Sequence, residues 1–540
     1  MRRISLAGLA LALALALPHS SSASPLLTLR HDGGAFERDD PYLPATSEPA
    51  TARRPAAPAT QDGSGAAARA AAARAAQDGR AAAAPTRTVR GELGRMLGAG
   101  AIDEATYHAR LATYSAARGL LRKLRGARRA SLGSVLGQLE AIAARGELTV
   151  SRLPALFQTV ARNRDWWSRG PLLRYGQRVS FQGSPLVWQY YTGQGLQIQW
   201  LGTFGKANAL WKSRTHDDDL RALLDDALGL AAQRAGGIAF EYLFAFDGGR
   251  PPWVSGLAQG TGIQALSRAA VRLAEPRFFE GARSALGVFR EAPPSGVRVS
   301  TALGAHYVIY SFAPQLRVLN AFTQALNGLH DFGLLANDDE GRALFSAGEA
   351  ELRSELPAYD TGAWSRYSLH AEADLGYHTL ARDFLVSLCS RLRDDATRAA
   401  AGATGGAAPT GGAVPMAAPP AQPAPVADAT PYCDMAQRFT SYLRQPPVVR
   451  LVSRRARAGR PAVLRLDVSK PAYLKLAVQR GEHTVTVLAA RLASGRHALV
   501  WARPRAAADY EVLLRATDLA GNVGSAKGEL EVLKARRKRR

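Results

Sequence analysis

Near residue 446 the hydrophobic pattern of this 540-residue chain changes period, and that change limits the fold more than any other feature. Upstream, apolar residues recur three and four apart, as on one face of a helix. Downstream they alternate one by one, as on the two faces of a strand. AVLRLDVS, AYLKLAVQ, HTVTVLAARL, HALVWAR and YEVLLRATD, separated by Gly, Pro or Ser, predict about seven short strands over 446–533. Upstream, IDEATYHARLATYSAARGLLRKL with Asp103 as N-cap, and SLGSVLGQLEAIAARG with Ser131 as cap and Gly146 as stop, predict a helical lead-in over 91–164. Helical patterns recur through 165–445: Ile198 to Trp211, Leu220 to Arg234, Thr261 to Ala274, Phe278 to Phe289, Val318 to Phe332, Asp338 to Leu356 and Thr379 to Arg393. VRVSTALGAHYVIYSF is the hairpin candidate among them. The expected class is mainly α: helix pairs closed into an (α/α) toroid, followed by a small all-β sandwich of immunoglobulin or fibronectin type.

Two stretches interrupt these patterns. Residues 24–90 and 396–431 are rich in Ala, Pro, Gly and Arg and poor in large apolar side chains, so both read as linkers unable to offset the cost of chain ordering. The second is followed by YCDMAQRFTSYLRQ, one more helix, which makes it an insertion in the toroid. Residues 1–23 have Arg2 and Arg3, an apolar run and a small-x-small ending, the pattern of a secretory signal peptide. The expected location is therefore exported: secreted, periplasmic or on the cell surface. In an oxidising compartment Cys389 and Cys433 are expected to pair. The net charge of +24 is uneven: residues 1–150 carry +8, 151–395 carry +1 and 396–540 carry +15. A basic C-terminal region with a KARRKRR tail at 534–540 suits an anionic polymer or the cell envelope, and simple solubility is the competing explanation. No nucleic-acid motif is present, and a homodimer is left open.

The middle region carries the informative motifs. PPWVSGLAQGTG at 251–262 passes from two prolines and Trp253, through small residues, into a helix. VLNAFTQALNGLHDF (318–332), LPAYDTGAWSRYSL (356–369) and GYHT (376–379) follow in order. Together these blocks resemble the C-terminal domain of the D-glucuronyl C5-epimerase family, over about 165–395 plus the helix near 433–444. The resemblance implies a toroid with a cleft for a heparan-type uronic-acid polymer, inversion at C5, and no cofactor or metal. There Trp253 would offer a flat face to a sugar ring, and Gln259 an amide to its hydroxyls. Gly256, Gly260 and Gly262 would admit the polymer close to the backbone. Asn320 of the second block joins the substrate-binding set. Burial of the tryptophan in the core and close helix packing of the glycines are the competing readings.

C5 inversion needs a base on one face of the sugar, an acid on the other, and donors for the enediolate between them. The resemblance implies tyrosines and a glutamate in these roles. Tyr310, Tyr367 and Tyr377 match the family's tyrosines. Ile309 stands where the glutamate is expected, and His370 where an arginine is expected. A free tyrosine titrates near about 10 and needs a cation to act as a base at neutral pH. Arg366, His370, His378 and Arg317 are the candidates near it in sequence. HDDD at 216–219 reads as an acidic helix start rather than a metal site. Three functions compete: an exported uronate C5-epimerase, a polysaccharide lyase working from the same deprotonation, and a glycan- or envelope-binding protein with a degenerate site.

Overall fold

The computed structural model describes residues 24–30, 32–44, 87–404 and 427–534. Strands β1 (Ser24–Leu29) and β2 (Ala35–Asp40) lie in the stretch expected to be linker. They join β3 (Arg178–Phe181), β4 (Trp188–Tyr191) and β5 (Gly195–Ile198) in a sheet ordered β2-β1-β3-β4-β5. This corrects the expectation for 24–44, and residues 45–86 lie outside the described set. The linker composition, averaged over the whole stretch, hid a short apolar signal: Leu26, Leu29 and Leu43 are buried. The sheet itself went unread because WQYY and GLQI are too short to show alternation, and all eight of their residues are buried.

The helices α1 (Val89–Gly98) and α2 (Glu104–Lys123) pack on α3 (Gly126–Ala144) and α4 (Leu153–Arg169), which in turn pack against β5 of this sheet. Asp103 caps α2, accepting from the Thr106 amide at 2.7 Å. The cap expected at Ser131 is instead a buried residue inside α3, because the helix begins five residues earlier. Next come α5 (Trp200–Ser213) and α6 (Asp217–Gly229), whose first turn holds Asp217, Asp218 and Asp219. The hairpin β6 (Ala232–Arg234)–β7 (Gly237–Ala239) leads to α7 (Gly256–Leu273), α8 (Arg277–Ser284) and α9 (Gly287–Arg290). A second hairpin, β8 (Arg298–Ser300)–β9 (Ala305–Tyr307), precedes α10 (Leu319–Leu335) and α11 (Asp339–Glu355). A third, β10 (Arg366–Ser368)–β11 (Ala371–Glu372), precedes α12 (Leu375–Thr404) and α13 (Thr430–Tyr442).

Helix α7 is the hub, packing on α5, α8 and α10, while α10 also meets α11 and α12. Its glycines serve that packing. A Cβ on Gly328 of α10 would stand 2.0 Å from the Gly260 carbonyl, and one on Gly260 would meet Ala325 Cα at 2.6 Å. A Cβ on Gly256 would meet the Val308 carbonyl at 2.5 Å, and one on Gly262 the Phe204 ring at 2.9 Å. The small-residue run of 256–262 therefore lets helices touch backbone to backbone and does not line a path for a polymer. Helix α12 runs through Thr404, so the insertion expected from 396 begins at least nine residues later. Cys389 of α12 and Cys433 of α13 form a disulfide with Cα atoms 5.0 Å apart, tying α13 to the helical body.

The C-terminal region is all β. One sheet is ordered β12 (Val449–Leu451), β14 (Ala462–Val468), β17 (Gly495–Trp501). The other is ordered β13 (Arg455–Arg457), β19 (Val523–Leu533), β18 (Ala508–Asp518), β15 (Ala472–Arg480), β16 (His483–Leu492). The alternating buried side chains of β14, with their counterparts on β15 and β18, fill a separate apolar core around Leu464, Leu474 and Val512. This region is joined to the helical body: the buried Lys470 ammonium donates to the carbonyls of Tyr442 and Gln445, and Asn522 donates to that of Leu443.

Candidate active site

Residues 240–253 double back on themselves and build an aromatic wall. Tyr242 and Trp253 exchange both backbone hydrogen bonds, at 2.8 and 3.1 Å. Their rings stack 4.3 Å apart at 11°. Phe246 lies 5.8 Å from the Trp253 ring, and Tyr310 and Phe312 meet it edge-on at 5.4 and 5.3 Å. The indole Nε1 donates to the Phe244 carbonyl. Trp253 is thus 3% exposed and closed in by aromatic neighbours, so it is wall and not an open platform for a sugar. Gln259 is likewise structural. Its Oε1 accepts from the Phe240 amide, and its Nε2 donates to the Ile238 and Ala285 carbonyls.

Against this wall stand the three tyrosines, delivered by three separate segments. Tyr310 follows β9 and stacks on Phe312 at 5.2 Å. Tyr367 comes from β10 and Tyr377 from the first turn of α12, with ring centroids 4.5 Å apart. Tyr310 lies within electrostatic reach of both, and of Tyr242 and Tyr191. Tyr191 ends β4 and packs on Phe244 at 4.6 Å, with the half-exposed Tyr175 6.0 Å away at the mouth. Burial pushes Tyr310, Tyr367 and Tyr377 all above the usual phenol range. Neighbouring tyrosines add to the rise at Tyr310 and Tyr367, and Asp374 adds to it at Tyr377. All three are phenols at neutral pH.

No cation named from the sequence is set beside these phenols. Arg317 is held by Glu351 at 3.0 Å and by Glu355. His370 is exposed at the turn of the β10–β11 hairpin, and half-buried Arg366 sits opposite Glu372 across that hairpin. His378 is fully buried away from solvent. Its Nδ1 accepts from the Ser365 amide, so Nε2 carries the proton and donates to the Phe439 carbonyl. Its ring stacks on Trp364 at 3.9 Å, and burial pulls its pKa down to about 4. The substrate-binding role expected for His378 is therefore corrected: it is a neutral packing residue. Asn320 differs. It is 2% exposed, its Nδ2 has no hydrogen-bond partner, and the Val318–Ser368 bridge fixes its turn beside Tyr367.

Ile309, at the position of the expected glutamate, is buried with Leu257, Val318 and Ala321, packed against by Tyr310 and Tyr367. Glu241 does not replace that glutamate, because Arg152 and Arg234 hold it at 2.6 and 2.7 Å. The carboxylates within electrostatic reach of the tyrosines are Asp247, toward Tyr367 and Tyr175, and Asp374, toward Tyr377 and Tyr367. Asp374 also accepts from the Tyr377 amide at 2.8 Å, which fixes its place at the helix start. Sequence reasoning passed over Tyr175, Tyr191, Tyr242 and Asp374. The aromatic density of WQYY and EYLFAF was the available signal.

A half-buried cluster of phenols with two carboxylates in electrostatic reach, set on a helical body, is suited to proton transfer on a polar substrate. Residues 235–400 match the family model of the D-glucuronyl C5-epimerase C-terminus. A D-glucuronyl C5-epimerase of Caenorhabditis elegans is 36% identical over 132 residues, 22% of this chain and 21% of the relative. The resemblance read from the motifs is thus borne out for this segment, which is similar to the family's C-terminal domain. The chain spans about a fifth of that relative's length. Among solved structures, the endo-β-1,4-glucanase CMCax of Acetobacter xylinum aligns over 38% of this chain and 67% of its own, at 14% identity and a TM-score of 0.27. That score is too low to carry an argument about fold.

Proposed function

We propose that the protein is an exported uronate C5-epimerase acting on a glucuronate-containing polysaccharide, its helical body serving as the toroid of that family. The observation that carries this reading is the convergence of Tyr310, Tyr367 and Tyr377, which match the family's tyrosines and come from separate segments. The C5 proton leaves as the C5–H electron pair passes into the carboxylate, giving an enediolate, and a proton returns to C5 from the opposite face. Phenols held above their usual range are set to give protons and to donate to the enediolate. The accepting role needs an anion, and it falls to Tyr377, which takes the C5 proton as its own passes toward Asp374, the carboxylate in electrostatic reach of it. Tyr310, supplied by a different loop, is the opposing acid. The free Nδ2 of Asn320 supplies a donor for a sugar hydroxyl. The basic all-β region would hold the enzyme to anionic glycan or envelope material.

Ile309 favours a second reading, a glycan-binding protein without turnover, because an apolar side chain occupies the position of a proton-transfer group. Incubation of glucuronate polymers with the protein in heavy water separates the two. The epimerase yields C5-inverted, deuterated uronate by NMR. Tight binding with no deuterium at C5 gives the case to the binding protein, and new ultraviolet absorption from an unsaturated uronate gives it to the lyase.

A further inference from the structure

Arg178, on β3, is a buried cation without an anion. It is 9% exposed, and among the described residues no carboxylate lies within ion-pair distance of it. One terminal nitrogen donates to the Pro44 carbonyl, and Nε has no partner. The other terminal nitrogen lies 3.7 Å from where a Cβ on Gly202 would stand, which sets the guanidinium at the first turn of the fourteen-residue α5. That helix start is a second source of positive potential. Its Leu201 amide donates to the Tyr242 hydroxyl at 3.3 Å, and its capping residue Gln199 lies beside the Tyr191 hydroxyl. Tyr191 and Tyr242 both lie within electrostatic reach of Tyr310. Arg178 itself lies within electrostatic reach of Tyr191, which places it behind the tyrosine cluster, although it lies outside the segment matched to the epimerase family.

A guanidinium taken out of water without a counter-charge is a large cost to a fold, and such groups are ordinarily paired. Here the burial pulls the Arg178 pKa down to about 10, which leaves it charged at neutral pH. The missing partner is a planar anion that accepts two parallel N–H bonds, the geometry of a carboxylate. We propose that Arg178, beside the first turn of α5, binds the uronate carboxylate of the substrate behind the tyrosine cluster. This rests on the epimerase reading for the location of the site and goes beyond it in naming the carboxylate receptor. It also gives the site a cation where the family's arginine position is filled by His370. Charge that builds on the carboxylate as C5–H breaks would then be met by a preorganised donor fork.

The test uses the full chain, a glucuronate-containing heparan-type octasaccharide and its carboxyl-reduced counterpart, with affinities from calorimetry at one ionic strength. Wild type should prefer the charged oligosaccharide by about ten- to a hundredfold, the range of a hydrogen bond to a charged group. Arg178→Gln should lose most of that preference, and Arg178→Lys should keep part of it. Arg178→Met, which removes an uncompensated buried charge, should melt no lower than wild type without ligand, so loss of fold is separable from loss of recognition. An unchanged preference in Arg178→Gln, or no preference in wild type, overturns the proposal. Deuterium exchange at C5 distinguishes the two readings. Exchange with a preference indifferent to Arg178 removes the receptor and keeps the epimerase. A preference lost in Arg178→Gln with no exchange in wild type keeps the receptor and removes the epimerase.

Discussion

The Lys470 ammonium, from the turn between β14 and β15, stands 5.4 Å from the centroid of the Trp364 ring, the ring on which His378 stacks at 3.9 Å. It also pairs with Asp518 at 3.0 Å, with both side chains almost fully buried. The all-β region thus braces the segment from which Tyr367 and Tyr377 extend. Ser494 adds a second brace, its amide donating to Glu372 of the hairpin at 3.0 Å.

Removing Lys470 leaves the buried Asp518 carboxylate without its counter-charge, with only Ala520 and Asn522 still donating to it, a loss of at most about 3–5 kcal/mol. Lys470→Met is expected to destabilise the protein by that order, measured by chemical denaturation followed through tryptophan fluorescence. The double variant Lys470→Met/Asp518→Leu should recover part of the loss, because no lone charge remains although the Ala520 and Asn522 donors lose their acceptor. Equal instability of the single and double variants would contradict the pairing.

His378 makes stability depend on pH. Its folded pKa, about 4, lies below the ordinary 6.5, so the unfolded chain binds more protons between those values. Its contribution is therefore present above about 6.5 and is lost as pH falls toward about 4, amounting to no more than about 3 kcal/mol. His330 acts in the opposite sense. The pKa of His330 is raised, the lowering by burial being outweighed by the Asp395 hydrogen bond and the nearby Asp331 carboxylate, so its contribution is full below the ordinary value and is lost as pH rises through the folded value. The comparison that isolates His378 is the difference in unfolding free energy between wild type and His378→Gln across pH 4 to 7. That difference should shrink as pH falls, and a constant difference would contradict the neutral, buried assignment.

The disulfide closes a loop across a sequence separation of 44 residues. On the chain-entropy account such a loop contributes about 4 kcal/mol. Reduction, or Cys389→Ala/Cys433→Ala, should lower the denaturation midpoint accordingly. It should also loosen α13 first, read as faster hydrogen exchange over 430–442. Identical exchange with and without the bond would show that the helix is held by packing alone.

The change of period at 446 was legible because alternation in β14, β15 and β18 is strict, and the helical runs were legible because α7, α10 and α11 are long. Strands β3 to β5 were not, since short strands buried on both faces carry no period. The motif blocks pointed to the right segments but not to which side chains face the site. Trp253 and Gln259 were matched as surface groups, yet the backbone exchange between Tyr242 and Trp253 turns the indole into the wall, and Gln259 spends its amide on three backbone groups. Arg178 gave no sign at all, because a lone arginine in a short strand is an ordinary sight until its burial and lack of a partner are seen.

The central claim, that the phenol cluster moves the C5 proton, is tested most directly by Tyr377→Phe. The change removes one hydroxyl from a half-buried ring packed on Tyr367, and should leave fold and polymer binding as they are. Deuterium uptake from heavy water into C5 of a glucuronate polymer should fall by about 10² to 10⁴ relative to wild type, the usual weight of a general acid–base group. Uptake at the wild-type rate by a folded Tyr377→Phe protein, with binding unchanged, would contradict the account.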